Sequence, residues 1–453
     1  MSKQVTIVGA GLVGSLLSLY LAKRGYRVDI YEKRADMRSA DYIGGRSINL
    51  ALSHRGFKGL NAVGLEEEIL KVGIPMYGRV IHQPNGEVAY QAYGKEDEAI
   101  YSVSRGGLNI ALMNFAEQDP NVNIHFNQRC SDVDFATATT HFEHMESKEK
   151  KAVQSDLVLS ADGAFSAVRL AMQLKTDRFE YSQHYLEHGY KELCIPAGPG
   201  GSFLIEKNAL HIWPRHNYMM IALPNLDGSF TCTLFFPFDG EPSFSSLKTE
   251  ADVNAFFSKE FPDVVTLIPD LAKDFFQNPT GSLVTVKSYP WTYEDKVGIM
   301  GDASHAIVPF FGQGMNAGFE DCFVLGELME RHQDNWEAIL PEFQRVRKPN
   351  ADAIAEMAYE NFIEMRDKVA DPKFLLRKKI EQLFNKKYPE QYISKYAMVS
   401  FSIKPYTEAL EMGYRQDALF EKVLQIPGIE TNWDSAETAV KLDTLLKEFG
   451  FIH

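Results

Sequence analysis

Lys3–Val8, with Val5, Ile7 and Val8 and the β-branched Thr6, reads as a short buried strand. Glycines interrupt it, after which Gly14–Arg24 reads as a helix that is apolar all round and Tyr26–Tyr31 as a second strand. The chain therefore opens with a βαβ unit. No charge falls between Val5 and Ala22, a run that superficially matches a signal peptide's apolar core, but the strand, glycine turn and helix explain it better. Further on, Asn85-Gly86 sits between two mixed segments of residues 79–93 and predicts a hairpin whose register stays open. Tyr181–Gly240 is rich in aromatic and β-branched residues (His211-Ile-Trp-Pro, Tyr218-Met-Met-Ile-Ala-Leu, Phe230-Thr-Cys-Thr-Leu-Phe-Phe), which predicts antiparallel strands in a second layer. Ala351–Val369 and much of 370–446 carry Lys, Glu and Leu at helical spacing, so the C-terminal fifth reads as helical. Glu143–Lys151 is a charge cluster of the kind found in solvated loops and hairpin tips.

Composition narrows the picture. A length of 453 residues suggests two or three domains, and 45% apolar with 24% charged residues excludes wholesale disorder, collagen and coiled coil. The formal charge of −14, from 47 Lys and Arg against 61 Asp and Glu, disfavours nucleic-acid binding. Cys130, Cys194, Cys232 and Cys322 lie far apart, so neither a zinc site nor a disulfide framework is expected, and a reducing cytoplasm fits. No other run reaches the roughly 18 apolar residues of a membrane span, and no membrane anchor is expected.

Candidate chemistry begins at Gly9-Ala-Gly11-Leu-Val-Gly14, which ends the first strand and opens the helix. Glycines there let the backbone turn and approach a pyrophosphate at the positive helix end, and Glu32, 18 positions after Gly14, stands where a carboxylate accepts ribose hydroxyls. This predicts a dinucleotide site without distinguishing NAD from FAD. Two later segments do. Asp156-Leu-Val-Leu-Ser-Ala-Asp162-Gly163-Ala-Phe-Ser166-Ala-Val-Arg169 and Val297-Gly-Ile-Met-Gly301-Asp302-Ala-Ser-His resemble, in order, the Asp-Gly and Gly-Asp motifs of flavin-dependent aromatic hydroxylases. Asp162 or Asp302 alone would read as a turn or cap residue. As part of three ordered motifs, Asp302 at a strand end suits a ribityl hydroxyl, and Pro309-Phe-Phe-Gly312-Gln-Gly314-Met315-Asn316 supplies a turn into a helix for the electron-rich flavin edge. The resemblance implies FAD contacts from Gly9, Gly11, Val13, Gly14, Glu32, Lys33, Arg34, Ala51, Leu52, Arg105, Cys130, Asp162, Asp302, Pro309, Gly312, Gly314, Met315 and Asn316.

Longer strings narrow the family. Gly45-Arg-Ser-Ile-Asn-Leu-Ala-Leu-Ser-His-Arg-Gly56, Gly73-Ile-Pro-Met76 and His305-Ala-Ile-Val-Pro-Phe-Phe-Gly-Gln-Gly-Met-Asn-Ala-Gly-Phe-Glu-Asp-Cys322 resemble the kynurenine 3-monooxygenase family, with similarity to about Ile403. That resemblance implies an FAD enzyme of tryptophan degradation that uses NADPH and O2 to hydroxylate L-kynurenine to 3-hydroxykynurenine. The flavin carries the chemistry, so no catalytic side chain and no metal are implied. Its fold would be α/β: a Rossmann-like FAD-binding domain (1–75, 99–176 and 289–350), a substrate-site hairpin (76–98), an inserted antiparallel-sheet substrate domain (177–288) and a helical C-terminal region (351–453). The family's substrate contacts match Arg79 and Tyr93, which would hold the carboxylate, and Asn361 and Tyr396. Phe310, Phe311 and the strands of 221–238 would wall the aniline ring. Read without the resemblance, Arg79 is a surface residue, Asn361 a solvated helix residue, and Tyr93 and Tyr396 packing aromatics. Membrane-associated members carry a hydrophobic tail that this chain lacks, so a cytoplasmic enzyme is expected, and the last 50 or so residues match no family pattern. Rival readings are a flavin hydroxylase of another aromatic acid and a binding module that uses the fold without redox activity.

Overall fold

The computed structural model describes residues 3–39, 49–93, 98–365 and 371–452. The Gly45–Gly56 string therefore lies outside the described residues as far as position 48. Six strands build the first sheet: Gln4–Val8 (β1), Arg27–Tyr31 (β2), Val122–His125 (β8), Leu157–Ser160 (β12), Thr292–Tyr293 (β18) and Val297–Ile299 (β19). Their spatial order is β18-β19-β12-β1-β2-β8, parallel except for β18 against β19. Helices cover the sheet, which is why β1, β12 and β19 are buried without alternation. Leu12–Ala22 (α1) packs against Arg105–Ala116 (α4) and Gly314–Arg331 (α10). A Cβ on Gly318 would stand 2.5 Å from Val13 Cγ2, so glycine lets α10 and α1 approach. Shorter helices are His54–Asn61 (α2), Glu66–Leu70 (α3), Ala167–Lys175 (α5) and Asp302–His305 (α9). Beside this sheet Gln128–Asp134 (β9), Thr139–His144 (β10) and Lys150–Gln154 (β11) form an antiparallel meander, and the charge cluster occupies the β10–β11 tip.

The second sheet has seven strands: Gly78–His82 (β5), Val88–Ala92 (β6), Glu180–Ile195 (β13), Ala209–Arg215 (β14), Tyr218–Pro224 (β15), Phe230–Pro237 (β16) and Thr280–Tyr289 (β17). Their order is β17-β13-β16-β15-β14-β5-β6. The hairpin forms at Asn85-Gly86 as expected, Gly86 taking φ 85°, and its register pairs Arg79 with Gln91. It is not a separate unit. β5 joins β14 in parallel, so the sheet is mixed rather than purely antiparallel, because hairpin and meander arrive from separate passages of the chain. Alternation assigns the two faces. Met220, Ala222, Phe230, Cys232, Leu234 and Phe236 face Glu250–Glu260 (α6), Pro262–Val265 (α7) and Leu271–Gln277 (α8), while Met219, Ile221 and Phe235 face the C-terminal helices. Both faces are thus buried. A third, small sheet of Asn49–Leu52 (β3), Ile74–Met76 (β4) and Ile100–Ser104 (β7), ordered β3-β7-β4, is interleaved in sequence with the hairpin of the second sheet.

The C-terminal region is helical: Trp336–Ile363 (α11), Pro372–Lys387 (α12), Lys395–Phe401 (α13), Tyr406–Val423 (α14), Ile429–Asn432 (α15) and Ala436–Glu448 (α16). The boundary expected between 350 and 351 falls inside α11, which starts at the Asn335 cap and continues through Pro349. The last 50 residues pack their own apolar cluster, with Leu419, Phe420, Leu442 and Leu446 against Ile380 and Phe384. Among the described residues no helix is long and apolar enough to cross a membrane, and all four cysteines are free thiols.

Candidate active site

The β1–α1 turn is tight on one side and open on the other. Gly9, at φ 101°, has Ala161 O 2.7 Å from where a Cβ would be, and a Cβ on Gly14 would stand 2.0 Å from Gly9 O. Gly11, which caps α1 without a side-chain hydrogen bond, has nothing within 4 Å of that position. A cradle so shaped accepts a pyrophosphate against the free N–H groups of the first helical turn. Glu32 directly follows β2, with Oε2 accepting the Ala10 N–H at 2.9 Å and Oε1 accepting Arg34 N and Nε at 3.0 and 2.8 Å. Burial pushes its pKa up, but Arg34 and the backbone donors outweigh this and hold the carboxyl below its usual range. Lys33 beside it is exposed.

The two Asp motifs differ in kind. Asp162 spends its carboxylate locally, accepting Ser160 Oγ at 2.6 Å and Ala167 N at 2.7 Å, and so orders the turn into α5. Asp302 is exposed at the start of α9, behind Gly301 at φ 56°. Arg169 joins the two turns, Nη1 donating to Ala303 O at 2.7 Å and Nη2 to Ala164 O at 2.6 Å. At the Pro309–Asn316 turn Gly312 takes φ 66°, and Asn316 donates from Nδ2 to Ala51 O and Gly312 O while Oδ1 accepts the Ser53 N–H. Asn316, Val13 and Leu52 therefore have side chains committed to the protein, leaving their backbone for a cofactor. Cys130 is buried in β9, its thiol pKa pushed up by burial and then by Asp162. Arg105 is exposed at the first position of α4, whose cap Ser104 accepts the Gly107 N–H. Met315 is buried in the core that holds α10, Gly314 opens that helix, and Pro309 is exposed.

The substrate candidates come together from three distant segments. The Arg79 Cζ lies 5.4 Å from the ring centroids of both Tyr93 and Tyr396, and those rings stack 5.2 Å apart at 22°. Arg79 Nε and Tyr93 Oη are buried without a hydrogen-bond partner. Glu364, whose charge acts on Arg79, lies 3.8 Å from Lys378 instead. Burial pushes the phenol pKa of Tyr93 and of Tyr396 up, so both stay protonated. Tyr396 also stacks on Phe311 at 5.7 Å, and Phe310 packs on Phe362 at 4.4 Å and Phe235 at 4.9 Å, which completes an aromatic wall. Ala51, a candidate flavin contact, packs with the cluster of Met76, Tyr93, Ile100 and Leu223, against which Tyr396 also packs. Asn361 Nδ2 donates to Phe310 O at 2.6 Å and fixes the turn that carries the wall.

Sequence reasoning passed over Asn109, six per cent exposed, whose Nδ2 donates to Ala10 O at 3.1 Å and whose Oδ1 has no partner beside Glu32. Its only signal was an amide in an otherwise apolar helix turn. It also gave no role to Arg55, which is buried in α2.

Comparison with known proteins bears on these arrangements. The FAD binding domain family matches residues 2–214 and 285–358, which hold every strand of the first sheet and the first strands of the second. Kynurenine 3-monooxygenase of Christiangramia forsetii is 50% identical over 446 residues, covering 98% of this chain and 99% of that protein. The enzyme of the same name from Myxococcus xanthus is 53% identical over 420 residues, 92% of this chain and 90% of its own. Among solved structures, the tetrameric form of 2-methyl-3-hydroxypyridine-5-carboxylic acid oxygenase superposes with a TM-score of 0.67 at 20% identity, over 83% of this chain and 96% of that one. Half-identity over nearly the full length, on an FAD-binding fold whose glycine cradle and aromatic-walled arginine stand as described, places the chain in the kynurenine 3-monooxygenase family.

Proposed function

We propose that the chain hydroxylates L-kynurenine at the ring carbon ortho to its aniline nitrogen, with NADPH and O2 as co-substrates and FAD as bound cofactor. The observation that carries this reading is Arg79, a cation with a buried, unpartnered Nε, held between two tyrosine rings. An unsatisfied buried donor is costly, and a substrate carboxylate answers it through paired charge-assisted hydrogen bonds, with the Tyr93 hydroxyl as a further donor. Phe235, Phe310, Phe311 and Ile221 supply an apolar wall for the aromatic end.

Bound FAD would supply the redox chemistry, taking a hydride from NADPH and activating O2. The residues fit that cofactor: Gly11 leaves room for the pyrophosphate, Glu32 stays ionised for a ribose, and Asp302 offers an exposed carboxylate for the ribityl chain. The substrate's amino group enriches its own ring in electrons, so the protein need supply no nucleophile. Its work is to anchor the carboxylate, orient the ring and exclude water.

The test is a titration followed by the flavin absorbance. L-kynurenine should perturb the spectrum saturably, and 2-aminoacetophenone, which has the ring and ketone without the amino-acid end, should bind far more weakly. Equal affinity for the two would remove the carboxylate anchor from the account.

A further inference from the structure

Arg55 lies in the first turn of α2 with its side chain fully enclosed, and its guanidinium reaches in two directions. Toward the flavin-binding core, Nη1 pairs with Glu320 Oε1 at 2.5 Å, and Glu320 Oε2 pairs with Arg347 Nη1 at 2.6 Å. Arg347 Nε then meets Asp321 Oδ1 at 2.7 Å, and Asp321 Oδ2 accepts the Gly301 N–H at 2.9 Å, directly before Asp302. In the other direction, Arg55 Nε donates to Val399 O at 3.2 Å and Nη2 to Lys404 O, and Cζ sits 4.0 Å from the Tyr406 ring centroid. The Tyr406 hydroxyl donates to Gln313 Oε1 at 2.9 Å, at the entrance to α10.

These contacts matter because of what α13 carries. It has seven residues, too few to be stable alone, and the carbonyls of its last turn have no partner within the helix. Side chains meet two of them: Ser402 Oγ donates to Met398 O at 2.6 Å, and Arg55 donates to Val399 O. A cation there also suits the negative end of the helix. Tyr396 is in the first turn of this helix and faces Arg79.

We propose that Arg55 is a positioning residue that ties the helix bearing Tyr396 to the flavin-binding core, so that the carboxylate pocket closes in register with the flavin. This inference rests on the substrate reading above. It differs from a purely structural role, which would lower stability without separating substrate binding from cofactor binding.

The experiment compares Arg55→Lys, Arg55→Met, Ser402→Ala and Tyr396→Phe, together with Arg55→Lys/Tyr396→Phe, each as FAD-loaded protein. Arg55→Lys keeps a charge for Glu320 but cannot reach both carbonyls, so it carries the test if Arg55→Met does not fold. Ser402→Ala loosens the same helix end without touching the core, and should give the same pattern more weakly. In Arg55→Lys the FAD Kd should stay within about twofold, the L-kynurenine Kd should rise about tenfold, and NADPH electrons should shift from 3-hydroxykynurenine to H2O2. Amide hydrogen exchange over 395–401 should quicken while 314–331 is unchanged. The double variant should lose less than the product of the single effects. Wild-type exchange, substrate Kd and product partition in Arg55→Lys and Ser402→Ala, or fully multiplicative effects with Tyr396→Phe, would overturn the proposal. A wild-type protein that makes no 3-hydroxykynurenine would overturn the functional reading instead, and the exchange measurement would still decide whether Arg55 holds the helix.

Discussion

Replacing Arg79 with Met should have two effects of opposite sign. In the free protein the guanidinium is incompletely compensated: Nε is buried without a partner, and its burial is offset by the faces of Tyr93 and Tyr396 and by the charge of Glu364, which is shared with Lys378. An orphaned buried donor costs about 1–3 kcal/mol, and the two cation–π contacts return part of that. Met fills much of the same volume without the charge, so the substrate-free protein should melt about 1–3 °C higher. With substrate the sign reverses. Losing one side of a desolvated charge pair costs about 2–5 kcal/mol, which at 1.4 kcal/mol per tenfold raises the L-kynurenine Kd by roughly 30-fold to several thousand-fold. The assay pairs differential scanning calorimetry of the substrate-free protein with flavin-absorbance titration, FAD affinity serving as the internal control. A lowered melting temperature with an unchanged L-kynurenine Kd would refute the reasoning and make Arg79 a structural residue.

The two glycines of the cradle should separate folding from cofactor binding. Gly11→Ala has room for its Cβ and should give folded protein that retains little FAD, whereas Gly14→Ala drives a Cβ into Gly9 O and should lower yield and melting temperature; circular dichroism and visible absorbance distinguish the two. Asp302→Asn should weaken FAD binding about 10- to 100-fold by loss of a charge-assisted hydrogen bond, measured by fluorescence titration of the deflavinated protein. FAD affinity equal to wild type would take Asp302 out of the site. Stability should also fall between about pH 6.5 and about pH 4. Burial pulls the His211 pKa down from 6.5 to about 4, against the opposing hydrogen bond to Glu206 O, so the unfolded chain takes up this proton first as pH drops. The stability is complete above the unfolded pKa and is lost on the way down through the folded one, about 3 kcal/mol at 1.4 kcal/mol per unit. Urea midpoints at pH 7 and pH 4.5 should differ less in His211→Gln than in wild type.

What could be read from the chain was local. The β1–α1 turn needs glycine at Gly9 and Gly14 for reasons contained within a few residues and one neighbouring strand, and the Asn85-Gly86 hairpin follows from its turn chemistry. Convergence was a different matter. Arg79, Tyr93 and Tyr396 meet although the last is some 300 positions along the chain, and no periodicity marks such a meeting, so only the family resemblance brought them together. The parallel β5–β14 pair and the continuity of α11 across residue 350 depend likewise on tertiary packing. Arg55 and Asn109 were invisible for a related reason: each is a polar residue inside an unremarkable stretch, and what matters is which carbonyl it reaches. Asn361 shows the converse: the resemblance implies a substrate contact there, and no pattern in the chain marks that its Nδ2 donates to Phe310 O.

The most direct test of the central claim is to supply the FAD-loaded protein with NADPH and O2, with and without L-kynurenine, and to quantify 3-hydroxykynurenine and H2O2 against NADPH consumed. The account predicts slow oxidation without substrate, strong stimulation by L-kynurenine, and 3-hydroxykynurenine as the main product. Stimulated oxidation that yields only H2O2, or no stimulation at all, would contradict it.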